Sequence, residues 1–303
     1  MASSGEKSLA VGHIYGFQID PTLERLNMKV YVEPIGGLCN RMRVIASAYQ
    51  LIRPQDGKLI VKWTANEELN CPAKALFSLP RGIRVVDVTG EDSLAAKLAY
   101  YRLRLGYRHR VGNDQVMKLK QAGNLIPQDK TYYETCETFH RDSRDVDCSI
   151  FTPAPELEAQ AREKIEKITQ GGTHRVIGLH IRRTDHSVSI RQSPTELFCR
   201  VLEARLKEDS DTRFYLATDD AAVRQFFADK YNPDGETVFF NDCETLGRDT
   251  AEGIKAAFVE LLTLSMTQRI YGSCGSSYTD MAAAMGKIPL DYVTADAMDG
   301  ILR

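Results

Sequence analysis

The densest chemistry in the chain lies in VIGLHIRRTD, Val176 to Asp185, where an apolar run ends in a histidine, two adjacent arginines and an acid. Cations are seldom placed at the end of a buried strand unless something there pairs with them. A guanidinium is planar, permanently charged and forked, so it grips the paired oxygens of a diphosphate better than an ammonium does. Side chains alternate along a strand, so His180 and Arg182 should share a face. Arg183 and Asp185 have a plainer alternative, pairing with each other or with a neighbouring loop.

Other segments carry similar chemistry. In YGSCGSSYTD, a strand gives way to a helix through Ser276 and Ser277, whose hydroxyls and backbone N–H groups suit a phosphate at a helix N-terminus. LATDD puts Asp219 and Asp220 between a strand and a helix, where an acid either caps the helix or meets a nucleobase or a sugar hydroxyl. PIGGLCNRMR offers Gly36 and Gly37 for close backbone approach and Asn40 as a cap. It is neither a GxGxxG fingerprint nor a GKS/T loop, so neither the NAD nor the ATP reading is supported.

These loops need a scaffold, and the chain supplies one. Its 303 residues, 43% of them hydrophobic, are enough for two ordinary domains. The net charge of −2 gives no bulk attraction to nucleic acid or anionic lipid. Seven scattered cysteines without a CxxC pair read as reduced structural thiols. No run of 18 apolar residues exists, so no transmembrane segment is expected and a cytoplasmic protein is the default.

Strand-like and helical patterns alternate throughout, the signature of an α/β protein with largely parallel sheets. KVYVEP, KLIVKW, IRVVDV and TYYET read as strands of a first half, and LAAKLAYYRLRLGYRHR as a helix running into a loop. FTPAPELEAQAREKIEKI suits a crossing between domains, after which RVIGLHI, RFYLAT, TVFF, RIYGS and PLDYV are strands of a second half. SPTELFCRVLEARL opens as a capping box with Ser193 at the N-cap and Glu196 at N3. The expected division is residues 1–27 as a flexible extension or leader, 28–150 as one Rossmann-like domain and 151–303 as another.

GLHIRRTD resembles the HxRRxD motif of the α1,6-fucosyltransferase and nodulation-fucosyltransferase group, within a superfamily that includes the protein O-fucosyltransferases. FYLATDD and FVELLTLSMTQRIYGSCGSSY are similar to the second and third motifs of that group, in the same order, over roughly Phe151 to Val293. The first half matches only through GGLCNR. The resemblance implies a GT-B fold, two Rossmann-like domains facing across a cleft, and an inverting transfer of fucose from GDP-fucose to a hydroxyl of a glycan or protein acceptor. Carried over by motif, Arg182 would hold the donor diphosphate, His180 would lie near the nucleoside, and Ser276 with Ser277 would bind the β-phosphate. Asp219 and Asp220 would sit in the donor site, Glu260 would take the guanine-recognising acidic position, and Gly36, Gly37 and Asn40 would face the cleft.

Breaking the bond from fucose C1 to phosphate places an extra charge on the departing diphosphate, which fixed cations can neutralise. The group is thought to use arginine, and no Asp-X-Asp triplet is read in a loop of the chain, so the transfer is expected to need neither metal nor cofactor. The chain departs from its relatives after the motif. Core-fucosylating enzymes continue with a lysine and then a glutamate, whereas this chain has His186 followed by SVSIRQ, which leaves the general base among His186, Glu33 and Asp185. Two alternatives stay open: a nucleotide-sugar-binding pseudoenzyme that lost its base, and an α1,2-type fucosyltransferase, whose motif usually has Gly where Thr184 stands. The basic, aromatic segment from Tyr100 to Arg110 could dock a partner, bind an acidic acceptor or be a solvated helix.

Overall fold

The computed structural model describes residues 28–88, 94–140, 142, 145–241 and 249–303. The expected leader over residues 1–27 lies outside them.

Strands β1 (Lys29–Pro34), β2 (Lys58–Thr64), β4 (Ile83–Val88), β5 (His109–Val111) and β6 (Thr131–Thr135) form a five-stranded parallel sheet in the order β4-β2-β1-β6-β5. It carries helices α1 (Leu38–Ile52), α2 (Leu94–Arg104) and α3 (Asn113–Gln121). The second sheet, also five-stranded and parallel, joins β8 (Val176–Ile181), β9 (Arg213–Thr218), β10 (Val238–Phe239), β11 (Ile270–Gly272) and β12 (Leu290–Tyr292) in the order β10-β9-β8-β11-β12. Its helices are α4 (Pro155–Thr169), α5 (Ser187–Gln192), α6 (Thr195–Glu208), α7 (Ala221–Tyr231), α8 (Ala251–Ser265) and α9 (Ser277–Gly286). A short antiparallel pair, β3 (Phe77–Ser78) with β7 (Thr152–Pro153), ties the segment entering the second sheet back to the first. The α/β class and the pair of parallel sheets agree with the sequence reading.

In the second sheet the strand order reverses between β8 and β11. At such a reversal the connections leave in opposite directions and open a crevice beyond the carboxyl ends of the strands. β8 is central and buried at every position, which explains its unbroken apolar run.

Core packing crosses the midpoint of the chain. One hydrophobic cluster takes Val30, Val32, Met42 and Trp63 from the first sheet and its helix together with Phe258, Leu261 and Met281 from α8 and α9. A separate cluster, including Ile177, Leu179, Ile181, Phe198 and Phe214, lies on the opposite face of β8 and β9.

Several local expectations are corrected. Ser193 is not the cap of α6; Pro194 precedes the helix without a side-chain hydrogen bond, and Ser193 Oγ instead accepts the N–H of Cys274 at 2.9 Å. Asn40 does not cap α1, because Gly37 holds that position and Asn40 Oδ1 accepts from Arg43 Nη2 at 2.8 Å. The three-residue β5 and helices α3 and α5 have no counterpart in the sequence reading.

Candidate functional site

A cleft of about 490 Å³ opens beyond the carboxyl ends of strands from both sheets, at the β8–β11 reversal of the second. Gly37 and Asn40 line it after β1, Glu137 and Thr138 after β6, Arg182, Asp185 and His186 after β8, and Ser276 and Ser277 after β11. Ile254, Ala257 and Tyr278 add an apolar and aromatic wall. The site residues read from sequence are thus brought to one place in part: Gly37, Asn40, Arg182, Ser276, Ser277 and the candidate base His186 line the cleft, while Gly36, His180, Asp219, Asp220 and Glu260 are not among its lining residues.

Arg182 is held ready from behind. Its Nη1 lies 2.9 Å from Asp219 Oδ2, and its Nη2 pairs with Asp185. Its backbone N–H donates to Ser273 Oγ at 3.0 Å, fixing the β8 loop to the β11 loop. Arg183 turns away and is spent on structure. Its guanidinium donates to Thr195 Oγ1, to the carbonyl of Arg182 and to the carbonyl of Ser193.

The two neighbouring acids divide their work in a way the sequence did not reveal. Asp220 caps α7, accepting the N–H groups of Ala222 and Val223 at 2.8 and 3.2 Å. Asp219 clasps the arginine loop, accepting the N–H of Arg183 at 2.8 Å and the hydroxyl of Thr184 at 2.6 Å. Burial alone would push the Asp219 carboxyl up, but the Thr184 hydroxyl, the Arg182 charge and the backbone N–H groups outweigh it and hold the carboxyl below its ordinary value.

His180 is buried and neutral, because burial, reinforced by Arg182 and Arg183, pulls it down to about 3. Its ring stacks on Tyr278 at 4.9 Å, and its Nδ1 lies 2.5 Å from Thr279 Oγ1. That approach needs Gly272, since a Cβ there would stand 2.2 Å from Thr279 Cγ2. Tyr278 continues the chain of contacts, donating from its hydroxyl to Glu260 Oε2 at 3.0 Å. Burial raises the Glu260 carboxyl to about 7, against the lowering effect of Tyr278 and Arg224.

Of the helices that begin at the cleft, α5 is capped by His186, but α1 and α9 leave their first N–H groups without a side-chain cap, for neither Gly37 nor Ser276 supplies one. Uncapped helix N-termini attract anions through their free donors and the helix dipole. Two such ends beside Arg182 make a cleft suited to a diphosphate.

The glycine loop owes its shape to a residue that the sequence reading passed over. Arg41 is almost fully buried, stacks over Trp63, and donates to the carbonyl of Gly36 at 2.7 Å, the carbonyl of Thr64 at 2.5 Å and Asn66 Oδ1 at 2.8 Å. Burial lowers it to about 10, so it stays cationic at neutral pH. Gly36, at φ +82°, turns its N–H onto Glu68 Oε2 at 3.0 Å. Glu68 itself lines the cleft, and the only sequence signal for it was its place just beyond a strand.

The candidate bases fare differently. Glu33 is enclosed by Lys62 at 2.8 Å, Thr64 at 2.9 Å and the Tyr132 hydroxyl; these contacts hold it below its ordinary value despite burial. Asp185 is paired with Arg182. His186 caps α5, its Nδ1 accepting the N–H of Ser189 at 3.2 Å. Glu137 is paired with Lys120 at 2.9 Å. Among the described residues Glu68 is the one carboxylate of the cleft without a direct ion pair, although it lies in the field of the Arg41 guanidinium.

Asp-X-Asp triplets do occur in the chain, contrary to expectation, but away from the cleft. Asp147 of the first accepts from Ser149, and Asp209 of the second accepts the N–H of Asp211 at 3.0 Å. No group of three or more His, Cys, Asp or Glu side chains among the described residues is arranged to hold a metal ion. No described helix is long and apolar enough to cross a membrane.

No protein-family model matches the sequence, and a search of curated proteins finds no match. Solved structures do match. NodZ α-1,6-fucosyltransferase soaked with GDP-fucose superposes with a TM-score of 0.56 at 17% identity, over 85% of this chain and 92% of that one. FUT1 of Arabidopsis thaliana, a variant in complex with GDP, gives 0.56 at 13% identity over 90% and 71%. POFUT1 in complex with GDP gives 0.55 at 8% identity over 88% and 98%. The chain therefore has the two-domain GT-B fold seen in these fucosyltransferases.

Proposed function

We propose that the chain is an inverting, metal-independent fucosyltransferase that moves fucose from GDP-fucose to a hydroxyl of a glycan or protein acceptor. The observation that carries this reading is the meeting of Arg182 with two uncapped helix N-termini in one cleft at the carboxyl ends of both sheets. The fold of fucosyltransferases with GDP or GDP-fucose bound supports it. In this reading residues 28–150 form the acceptor side and 151–303 the nucleotide side of a cytoplasmic enzyme.

The diphosphate lies against Arg182 and the N-terminus of α9, where Ser276 and Ser277 donate to the β-phosphate. The base lies along the wall of Ile254, Ala257 and Tyr278, and Glu260 receives the guanine N–H groups once Tyr278 yields that oxygen. As the bond from C1 to the β-phosphate oxygen breaks, its electron pair passes to GDP, whose new charge Arg182 neutralises without a metal. The acceptor oxygen attacks C1 from the opposite face, which inverts the anomeric centre, and Glu68 takes the acceptor proton. Asn40 and Gly37 present donors from the other side of the cleft.

The test is calorimetric titration of GDP, UDP and GDP-fucose into the wild type and Arg182→Ala, in EDTA. Binding of GDP and GDP-fucose but not UDP, weakened at least about 30-fold by the substitution, is the expected result for loss of a charge-assisted contact. Absence of guanine-nucleotide binding sinks the reading.

A further inference from the structure

Helix α2 carries a second apolar face that the fold does not use. Leu103 turns inward and packs with Tyr31, Tyr107 and Tyr132 over the first sheet. On the outer side Leu94, Leu98, Tyr101 and Leu105 are 80%, 51%, 67% and 89% exposed. Their spacing of four, three and four residues places them in one stripe along the helix, which the N–H of Leu105 extends by donating to the carbonyl of Tyr101. Exposed apolar side chains are ordinary when scattered, but aligned large ones mark a contact surface.

The segment that carries the stripe has one sign of charge, although Glu91 and Asp92 precede it in sequence and Glu134 pairs with Arg110. From Leu94 to Asn113 the sequence contains Lys97, Arg102, Arg104, Arg108 and Arg110 and no acid. Arg102 and Arg108 are exposed beside the stripe, and Arg104 lies over the Tyr107 ring at 5.1 Å. The whole chain carries −2, so this concentration is local rather than a general property. An apolar ridge on a convex helix, flanked by arginines whose stems can lie flat while their heads reach outward, matches the interfacial zone of an anionic bilayer. A partner protein would need a groove of matching shape, whereas a bilayer yields around a ridge.

We propose that α2 docks the protein on anionic membrane surfaces, the stripe from Leu94 to Leu105 entering the headgroup boundary and Arg102 and Arg108 meeting lipid phosphates. The surface lies outside the nucleotide cleft, so it stands or falls separately from the transferase reading.

The experiment is co-sedimentation of the full chain with vesicles of phosphatidylcholine alone and with about a third phosphatidylglycerol. Binding is expected to the anionic vesicles only, to weaken with salt, and to fall at least about tenfold in Arg102→Glu/Arg108→Glu, given what each cation contributes near a charged surface. Leu98→Glu/Leu105→Glu should lose binding while keeping the wild-type unfolding temperature. A Tyr101→Trp variant should be quenched by bromine-labelled acyl chains, which electrostatic adsorption alone would not produce. Several outcomes overturn the proposal: no vesicle binding, equal binding to neutral vesicles, capture of polyglutamate instead of vesicles, or dimerisation that the Leu98→Glu/Leu105→Glu change abolishes while vesicles remain unbound.

Discussion

Arg182 Nη1 stands 2.9 Å from Oδ2 of Asp219, whose other oxygen accepts the N–H of Arg183 at 2.8 Å. One carboxylate thus fixes both the side chain and the loop that carries it, before any ligand arrives. Such preorganisation removes reorganisation from the moment of binding. Asp219→Ala should weaken GDP by about tenfold, less than Arg182→Ala, because the cation remains while its aim is lost. Unchanged affinity in calorimetry would show that the acid competes with the ligand rather than organising its site.

In the proposed site Glu260 should make GDP affinity depend on pH. Its carboxyl is raised to about 7 and must be ionised to accept guanine N–H groups. Affinity should fall as pH drops below about 7, approaching tenfold per unit, and Glu260→Gln should flatten the profile. Stability runs the other way. A carboxyl raised in the folded state binds more protons there than in the unfolded chain, so the ligand-free protein should lose stability as pH rises from the ordinary carboxylate range towards 7. Thermal unfolding of wild type and Glu260→Gln across that range checks the sign.

Arg41 is the cation that the fold can least spare. Removing it takes the guanidinium donor from the carbonyls of Gly36 and Thr64 and leaves Asn66 Oδ1 with only the N–H of Leu69. Arg41→Met should cost roughly 3 kcal/mol in urea unfolding, the range for a buried network with one member deleted. A loss under roughly 1 kcal/mol would mean that water replaces the guanidinium.

Glu68 and His186 separate by kinetics. Glu68→Gln keeps an acceptor for the Gly36 N–H but cannot take a proton, so kcat with any accepted hydroxyl should fall about 100-fold or more, with GDP affinity intact. His186→Asn should change kcat only a few-fold. The reverse pattern in steady-state kinetics would move the base to the second half of the chain.

What the sequence disclosed follows the physics of each element. β8 was legible because a strand buried on both faces has to be apolar throughout, and its cationic end has to face a reversal of strand order. The serine and glycine loops were legible through turn chemistry. Arg41 was not, because a buried cation is written with the same letter as an exposed one, and only the three carbonyl or amide oxygens around it tell them apart. Asp219 and Asp220 could not be told apart in the sequence, because only the path of the loop decides which of two adjacent acids reaches the helix N–H groups. Glu68 and Glu137 joined the cleft through tertiary placement alone. β5 was hidden by its brevity and by His109 and Arg110, which read as loop.

Phe77 meets Phe151 at 4.8 Å and Phe258 at 6.0 Å, so three rings from three distant parts of the chain form one aromatic junction between the sheets. Above it, Arg43 of α1 reaches Asp280 of α9 at 3.4 Å. A molecule joined in this way should melt in one cooperative step rather than half by half. A chimaera that exchanges the first half with that of a structural neighbour would have to bring the matching faces of α8 and α9 with it, so the inheritable module is larger than the sheet it contains.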